Sequence, residues 1–118
     1  CGAMKAALGT IDDKMPHVRS WLRHTVNAKK LLEAYTDVTD PQARADLLSE
    51  INVLVQLKNL KTHPLVQEHL DAGTLHLHAW FFEIDSAQLY TYDPNEEEFV
   101  PITEQVVKQV TQANQSAA

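Results

Sequence analysis

The stretch that most constrains the fold is the apolar run over residues 75–82. Leucine, alanine and phenylalanine occupy its odd-numbered positions, and histidine, tryptophan and phenylalanine occupy its even-numbered positions. Side chains that alternate in this way line the two faces of a β-strand, and this strand is apolar enough to be covered on both. A strand covered on both faces is typical of a sheet packed between other layers. The run therefore predicts a place in a larger sheet.

The chain itself predicts only one further strand. Residues 85–88 are predicted to form a turn and residues 89–92 the partner strand. An isolated hairpin is marginal in water. A preceding helix, which begins at Asp40-Pro41 and extends to about Lys61, has an apolar band wider than one surface stripe. That band consists of Leu47, Leu48, Ile51, Leu54, Val55 and Leu57. The strand and the helix both predict contact with strands that this sequence does not contain.

The remaining elements are predicted to be mainly helical. A second helix has an apolar face and a basic, solvated opposite side. The apolar face is assigned to Val18, Trp21, Leu22, Thr25, Leu32 and Tyr35, and the basic side to Arg19, Arg23, Lys29 and Lys30. The amides Asn52, Gln56 and Asn59 are expected to be buried and to brace neighbouring loops. The second helix is predicted to begin at Pro16. Further predictions are short helices after Cys1 and from Pro64 to Gly73, an acidic loop over 93–98, a helix over 101–112 and a disordered tail over 114–118.

Length and charge limit the classes of function. A chain of 118 residues forms one domain at most, and residues 1–113 are assigned to it. The net charge of −6 argues against a surface for nucleic acids or anionic membranes, and no apolar run approaches the ~20 residues of a membrane span. The single cysteine excludes an internal disulfide and suits a reducing compartment.

That cysteine is the first candidate functional residue. Cys1 directly precedes the predicted helix formers Met4 to Leu8. At the start of a helix, unpaired backbone N–H groups and the helix dipole favour the thiolate. Cys1 is therefore either a metal ligand or a nucleophile.

Four stretches resemble one enzyme family. Cys1-Gly2-Ala3-Met4-Lys5 resembles the end of the Gly-His-x-x-Cys-Gly-Ala motif of β-class carbonic anhydrases. Residues 16–25 (PHVRSWLRHT) resemble the family's Pro-x-Val-x-x-Trp-Leu-x-His stretch. Residues 52–64 (NVLVQLKNLKTHP) match its Asn-Val-x-x-Gln-x-x-Asn-Leu-x-Thr-x-Pro helix, and residues 75–85 (LHLHAWFFEID) are similar to its Leu-x-Leu-His-Gly-Trp strand. The stretches keep the family's order and spacing.

The resemblance implies a zinc enzyme that reversibly hydrates CO2 to bicarbonate and a proton. Its metal ligands are Cys, His and Cys, and only the last of these maps here, onto Cys1. Gly2 matches a position whose backbone N–H faces bound anions in the family. The resemblance implies an α/β fold of which this chain is the helix-rich carboxyl-terminal part, with a strand hairpin that completes a mainly parallel sheet. It also implies a homodimer or higher homo-oligomer in the cytoplasm, or in the carboxysome if the source is a cyanobacterium.

One local departure from the family pattern and one candidate second metal site affect this interpretation. Ser86-Ala87 replaces the family's usual Thr-Gly, which predicts an unusual turn conformation. His76 and His78 lie on one strand face at a spacing that can bind a metal. His78, however, also falls where the family places a histidine that is not a ligand.

Three hypotheses for the function follow. In the first, the chain is part of a zinc carbonic anhydrase, and residues 1–118 by themselves are inactive because one thiolate cannot hold a catalytic zinc. In the second, it is a truncated, non-catalytic homologue that acts as a binding or structural subunit. In the third, Cys1 is the nucleophile of an N-terminal-nucleophile hydrolase. The third hypothesis leaves the other family-like stretches unexplained.

Overall fold

The computed structural model of the chain describes residues 1–116. It separates into two compact units, residues 1–55 and the described residues from Gln56 onward. The first unit is helical, and the last helix that it contains continues into the second. The helices of the first unit are α1 (Gly2–Leu8), α2 (Pro16–Leu22), a 3-10 turn (Arg23–Thr25), α3 (Val26–Leu32) and α4 (Pro41–Leu60).

The core of the first unit lies between these helices. Leu32 of α3 and Leu48 of α4 are its largest fully buried side chains. Apolar residues three or four positions apart face the same side of a helix, so each helix contributes one buried stripe. The other buried members are Met4, Ala7, Leu22, Ala28, Ile51 and Val55.

The predicted apolar face of the second helix is only partly correct. Leu22, Thr25 and Leu32 are buried, but Trp21 is 72% exposed and Val18 is 41% exposed. Helical geometry places Val18 and Trp21 on the same side as Leu22 and Thr25. Their exposure therefore means that the described residues cover that end of the stripe only in part, with the His24 ring 5.2 Å from that of Trp21. The four basic residues of the opposite side are exposed, as predicted.

The predicted start of α4 is confirmed in detail. Asp40 is the cap and Pro41 is the first helical residue. The Ala43 N–H donates to Asp40 Oδ2 at 2.8 Å, which pairs one of the N–H groups that a helix start leaves free. The expectation of buried amides along this helix is wrong for two of them, since Gln56 and Asn59 are exposed. Asn59 donates to the Gln56 side chain at 3.3 Å instead of bracing a buried loop.

The second unit contains two helices and an antiparallel sheet in the order β1-β2-β3. Its helix α5 (Pro64–Asp71) begins at Pro64 and is followed by Gly73 with φ of 69°, as predicted. The other elements are β1 (Trp80–Glu83), β2 (Gln88–Asp93), β3 (Glu98–Pro101) and α6 (Glu104–Ser116).

The third strand corrects the prediction for the end of the chain. Residues 98–101 pair with β2, with Phe99 opposite Tyr92 and Pro101 opposite Tyr90. Pro101 was expected to start a helix, but proline is also tolerated on an edge strand, where one side of the backbone needs no ladder partner. The helix begins later, at Glu104, and extends to Ser116. The tail over 114–118 stays a prediction: residues 114–116 belong to this helix, and residues 117–118 lie outside the described part.

The first predicted strand is shorter than expected. Regular pairing begins at Trp80, although the Ala79 carbonyl already accepts a hydrogen bond from Tyr92 N–H at 3.0 Å. Trp80 and Phe82 are 55% and 54% exposed, and Ile84 beyond the strand is 72% exposed. One face of this apolar strand is thus largely exposed in the described chain, whereas the sequence predicted cover on both faces. Its place in a larger sheet stays a prediction.

The turn between β1 and β2 has the unusual conformation that the sequence predicted. Ala87 has φ of 54°, a left-handed backbone conformation that a Cβ atom disfavours by roughly 1–2 kcal/mol. Glycine adopts it without that cost but loses more entropy on folding, roughly 0.5–1 kcal/mol. We expect Ala87→Gly to stabilise the chain by about 0.5–1 kcal/mol, measured as a higher midpoint in thermal unfolding.

Ser86→Gly is the matched control for this prediction. Ser86 has no positive φ, and its hydroxyl donates to the Glu83 carboxylate. Glycine at position 86 should therefore lower the midpoint. An Ala87→Gly variant that unfolds at or below the temperature of the parent chain would contradict the assignment of strain to residue 87.

Within residues 1–116, no helix combines the length and hydrophobicity that crossing a membrane requires.

Candidate functional site

Cys1 lies at the start of α1 with its side chain exposed. Its carbonyl accepts the first hydrogen bond of the helix, from Lys5 N–H at 3.2 Å, whereas its thiol caps no backbone N–H. The helix thus holds the backbone of Cys1, and the sulfur is left available. A sulfur in this position experiences the positive end of the helix dipole, which favours the thiolate that metals bind.

Gly2 is the first residue of α1 and is exposed. A Cβ atom built on it would meet nothing within 4 Å. The space beside the Gly2 Cα is therefore open in the described chain. Its contact with anions stays a prediction from the resemblance.

The candidate ligands do not form a complete metal centre in this chain. Among the described residues, no group of three or more His, Cys, Asp or Glu side chains is arranged to hold a metal ion. Cys1 has the donor chemistry of a zinc ligand, but a catalytic zinc site needs three protein ligands. The described residues therefore fit one position of a zinc site and leave the others unfilled.

The histidine pair on the strand is exposed and lacks a third ligand. His76 and His78 both face outward, and the ring of His78 lies 6.5 Å from that of Trp80. Neither belongs to a metal-holding group among residues 1–116. The arrangement gives the rival metal site no further support.

A cavity that the sequence did not reveal lies in the first unit. Residues from the end of α1 and from the start of α4 line it, and among them are Lys5 and Arg44. These two stretches are separated by some 30 positions along the chain, so no local motif could indicate that they come together.

Comparison with known proteins identifies the family. A family model described as carbonic anhydrase matches residues 1–89. A carbonic anhydrase of Pseudomonas aeruginosa is 38% identical over 105 residues, which are 88% of this chain and 47% of that protein. Carbonic anhydrase 1 of Escherichia coli O157:H7 is 39% identical over 103 residues, 86% of this chain and 47% of its own.

A solved structure agrees with these matches. The solved structure of the beta-carbonic anhydrase CcaA superposes on this chain with a TM-score of 0.78 at 32% identity. The superposition covers 89% of this chain and 48% of the CcaA chain. The chain therefore belongs to the β-class carbonic anhydrases. The predicted fold class is confirmed, as a helix-rich part of that fold with antiparallel strands. The chain spans about half the length of the curated relatives that it matches.

Proposed function

We propose that this chain forms part of a zinc carbonic anhydrase that reversibly hydrates CO2 to bicarbonate, and that Cys1 is one of its zinc ligands. The observation that carries the proposal is the family match, which begins at Cys1 and extends to residue 89. The exposed Cys1 sulfur at the start of α1, which accepts no hydrogen bond from the helix backbone, supports it. The remaining ligands would come from protein that matches the other half of the relatives.

In this proposal Cys1 and Gly2 have different roles. A zinc ion, when bound, supplies Lewis-acid activation of water for the hydration of CO2. Cys1 would hold the ion through its sulfur, and the bond from Lys5 N–H to the Cys1 carbonyl fixes the backbone from which that sulfur projects. Gly2 would offer a backbone N–H to the bicarbonate anion. The cytoplasmic location and the homo-oligomeric state implied by the resemblance remain part of the proposal.

A comparison of two proteins tests this function. Residues 1–118 alone should hydrate CO2 no faster than buffer with added zinc, because one thiolate cannot hold a catalytic ion. In a chimera, the part of the Pseudomonas aeruginosa enzyme that precedes the matched region is fused to Cys1 of this chain. This chimera should bind about one zinc per chain and hydrate CO2. Stopped-flow hydration and metal analysis measure both outcomes. Zinc-dependent turnover by residues 1–118 alone would contradict the assignment of the other ligands.

The non-catalytic subunit is the second candidate. It is favoured by the absence of a three-ligand group among the described residues. A chimera that folds but binds no zinc would favour it over the enzyme. Zinc binding and turnover by the chimera would instead support the carbonic anhydrase.

A further inference from the structure

The cavity of the first unit opens to the surface and has the volume of a small-molecule site. We call it the α1–α4 cavity. Its volume is about 760 Å³, within the range of roughly 300–1,000 Å³ typical of ligand pockets. It is lined by Lys5, Leu8, Gly9, Thr39, Asp40, Pro41, Gln42 and Arg44. All of these residues belong to the same compact unit, and none is a proposed ligand of zinc.

Arg44 is held in place at the cavity by main-chain carbonyls. It is half-buried, and its Nη1 donates to the Val38 carbonyl at 2.9 Å and to the Tyr35 carbonyl at 3.3 Å. Neither partner is charged, so these bonds orient the guanidinium without neutralising it. An arginine has five N–H donors, and the planar fork suits a carboxylate. Arg44 therefore presents a pre-positioned positive charge with donors to spare.

Lys5 supplies a second cation on the same lining. Its side chain is exposed, and its ammonium group makes no hydrogen bond or ion pair with another described residue. The Thr39 hydroxyl, also on the lining, is likewise without a partner in the described part of the chain. Three types of donor, a guanidinium, an ammonium and a hydroxyl, thus line one cavity.

The remaining lining residues limit which ligands these donors can bind. Asp40 contributes one carboxylate, whose Oδ2 already accepts from the Ala43 N–H. Two cations and one carboxylate leave one net positive charge, in a chain whose net charge is −6. A ligand with one negative charge matches this balance, whereas Asp40 would repel a second charge. Leu8 and Pro41 offer apolar surface for the rest of the ligand.

We propose that the α1–α4 cavity binds a small organic monocarboxylate. Arg44 and Lys5 pair with its carboxylate, Thr39 donates a hydrogen bond to it, and its apolar body lies against Leu8 and Pro41. Cys1 is not among the lining residues, and the site requires neither zinc nor CO2, so it stands or fails independently of the proposed enzyme activity.

Titration calorimetry of the 118-residue chain with hexanoate tests this site. EDTA is present so that a metal at Cys1 does not contribute. We expect saturable binding of one hexanoate per chain. Hexanamide, which has the same shape without the charge, and inorganic phosphate should each bind at least about tenfold more weakly, as expected for loss of a charge-assisted contact. Amide resonances of Leu8, Gly9, Thr39 and Gln42 should shift on titration.

Matched substitutions locate the binding. Arg44→Gln and Lys5→Gln should each weaken hexanoate binding by about tenfold or more. Because Arg44 also bonds to the backbone, Lys5→Gln is the decisive variant if Arg44→Gln impairs folding. Lys29→Gln removes an exposed cation from α3, away from the cavity lining, and should leave the affinity unchanged. The proposal is overturned by absence of saturable binding, by equal affinity for hexanamide or phosphate, or by equal effects of Lys5→Gln and Lys29→Gln.

Discussion

In the chimera described above, Cys1→Ser is expected to remove most of the bound zinc and to lower CO2 hydration by more than about 100-fold. Changes in groups that only support a metal ligand typically cost roughly 10–100-fold in affinity or activity, and loss of the ligand itself should exceed this. A neutral hydroxyl is a far poorer zinc ligand than a thiolate. Metal analysis and stopped-flow hydration measure the two losses.

The structure indicates that this variant should still fold. The Cys1 thiol caps no backbone group, and the first bond of α1 uses the Cys1 carbonyl instead. Serine at position 1 should therefore preserve the helix, and circular dichroism of the variant should match that of the parent chimera. A Cys1→Ser chimera with one zinc per chain and unchanged turnover would remove Cys1 from the metal site.

Leu32→Ala is expected to produce the largest loss of stability among single substitutions in α3. Leu32 is 1% exposed and packs in the core of the first unit. Truncating a buried leucine removes transfer free energy and leaves a cavity, at a cost of about 2–5 kcal/mol. Small domains have a total stability of only ~5–15 kcal/mol. Urea unfolding followed by helical circular dichroism should show a markedly lower midpoint.

The neighbouring residue gives a matched control. Leu31 lies on the same helix and is 55% exposed. Leu31→Ala makes the same chemical change with the same effect on helix propensity, but it opens no buried cavity, so its cost should be within about 0.5 kcal/mol. Equal midpoints for the two variants would show that α3 does not pack as described.

The sequence predicted the ends of the helices better than it predicted the strands. Local chemistry determined where α4 and α5 begin, because Asp40-Pro41 and Pro64 act on the first turn of a helix whatever packs beside it. Gly73 likewise determined the end of the helical segment, since its φ of 69° is readily adopted only by glycine. The Ala87 turn was also foreseen, from the residue that stands where the family has glycine.

The strands depended on partners that lie elsewhere in the chain. Residues 98–101 contain Glu98 and Pro101, which locally suggest a loop and a helix start, but pairing with β2 makes them a strand. Residues 75–79 have the alternation of a strand, yet no described strand pairs with them along their length. A ladder is formed by two segments at once, so the pattern of one segment is not enough to determine it.

The candidate sites divide in the same way. The sequence by itself determined the family, because four separated stretches keep the family's order and spacing over residues 1–85. It also placed Cys1 at a helix start, because the residues that follow it are helix formers. Only the tertiary structure decided that Trp21 is exposed while Leu22 is buried, since exposure depends on what packs against a helix face. Only the tertiary structure brought Lys5 to the same cavity as Arg44, because packing of α1 and α4 joins residues that no sequence period relates.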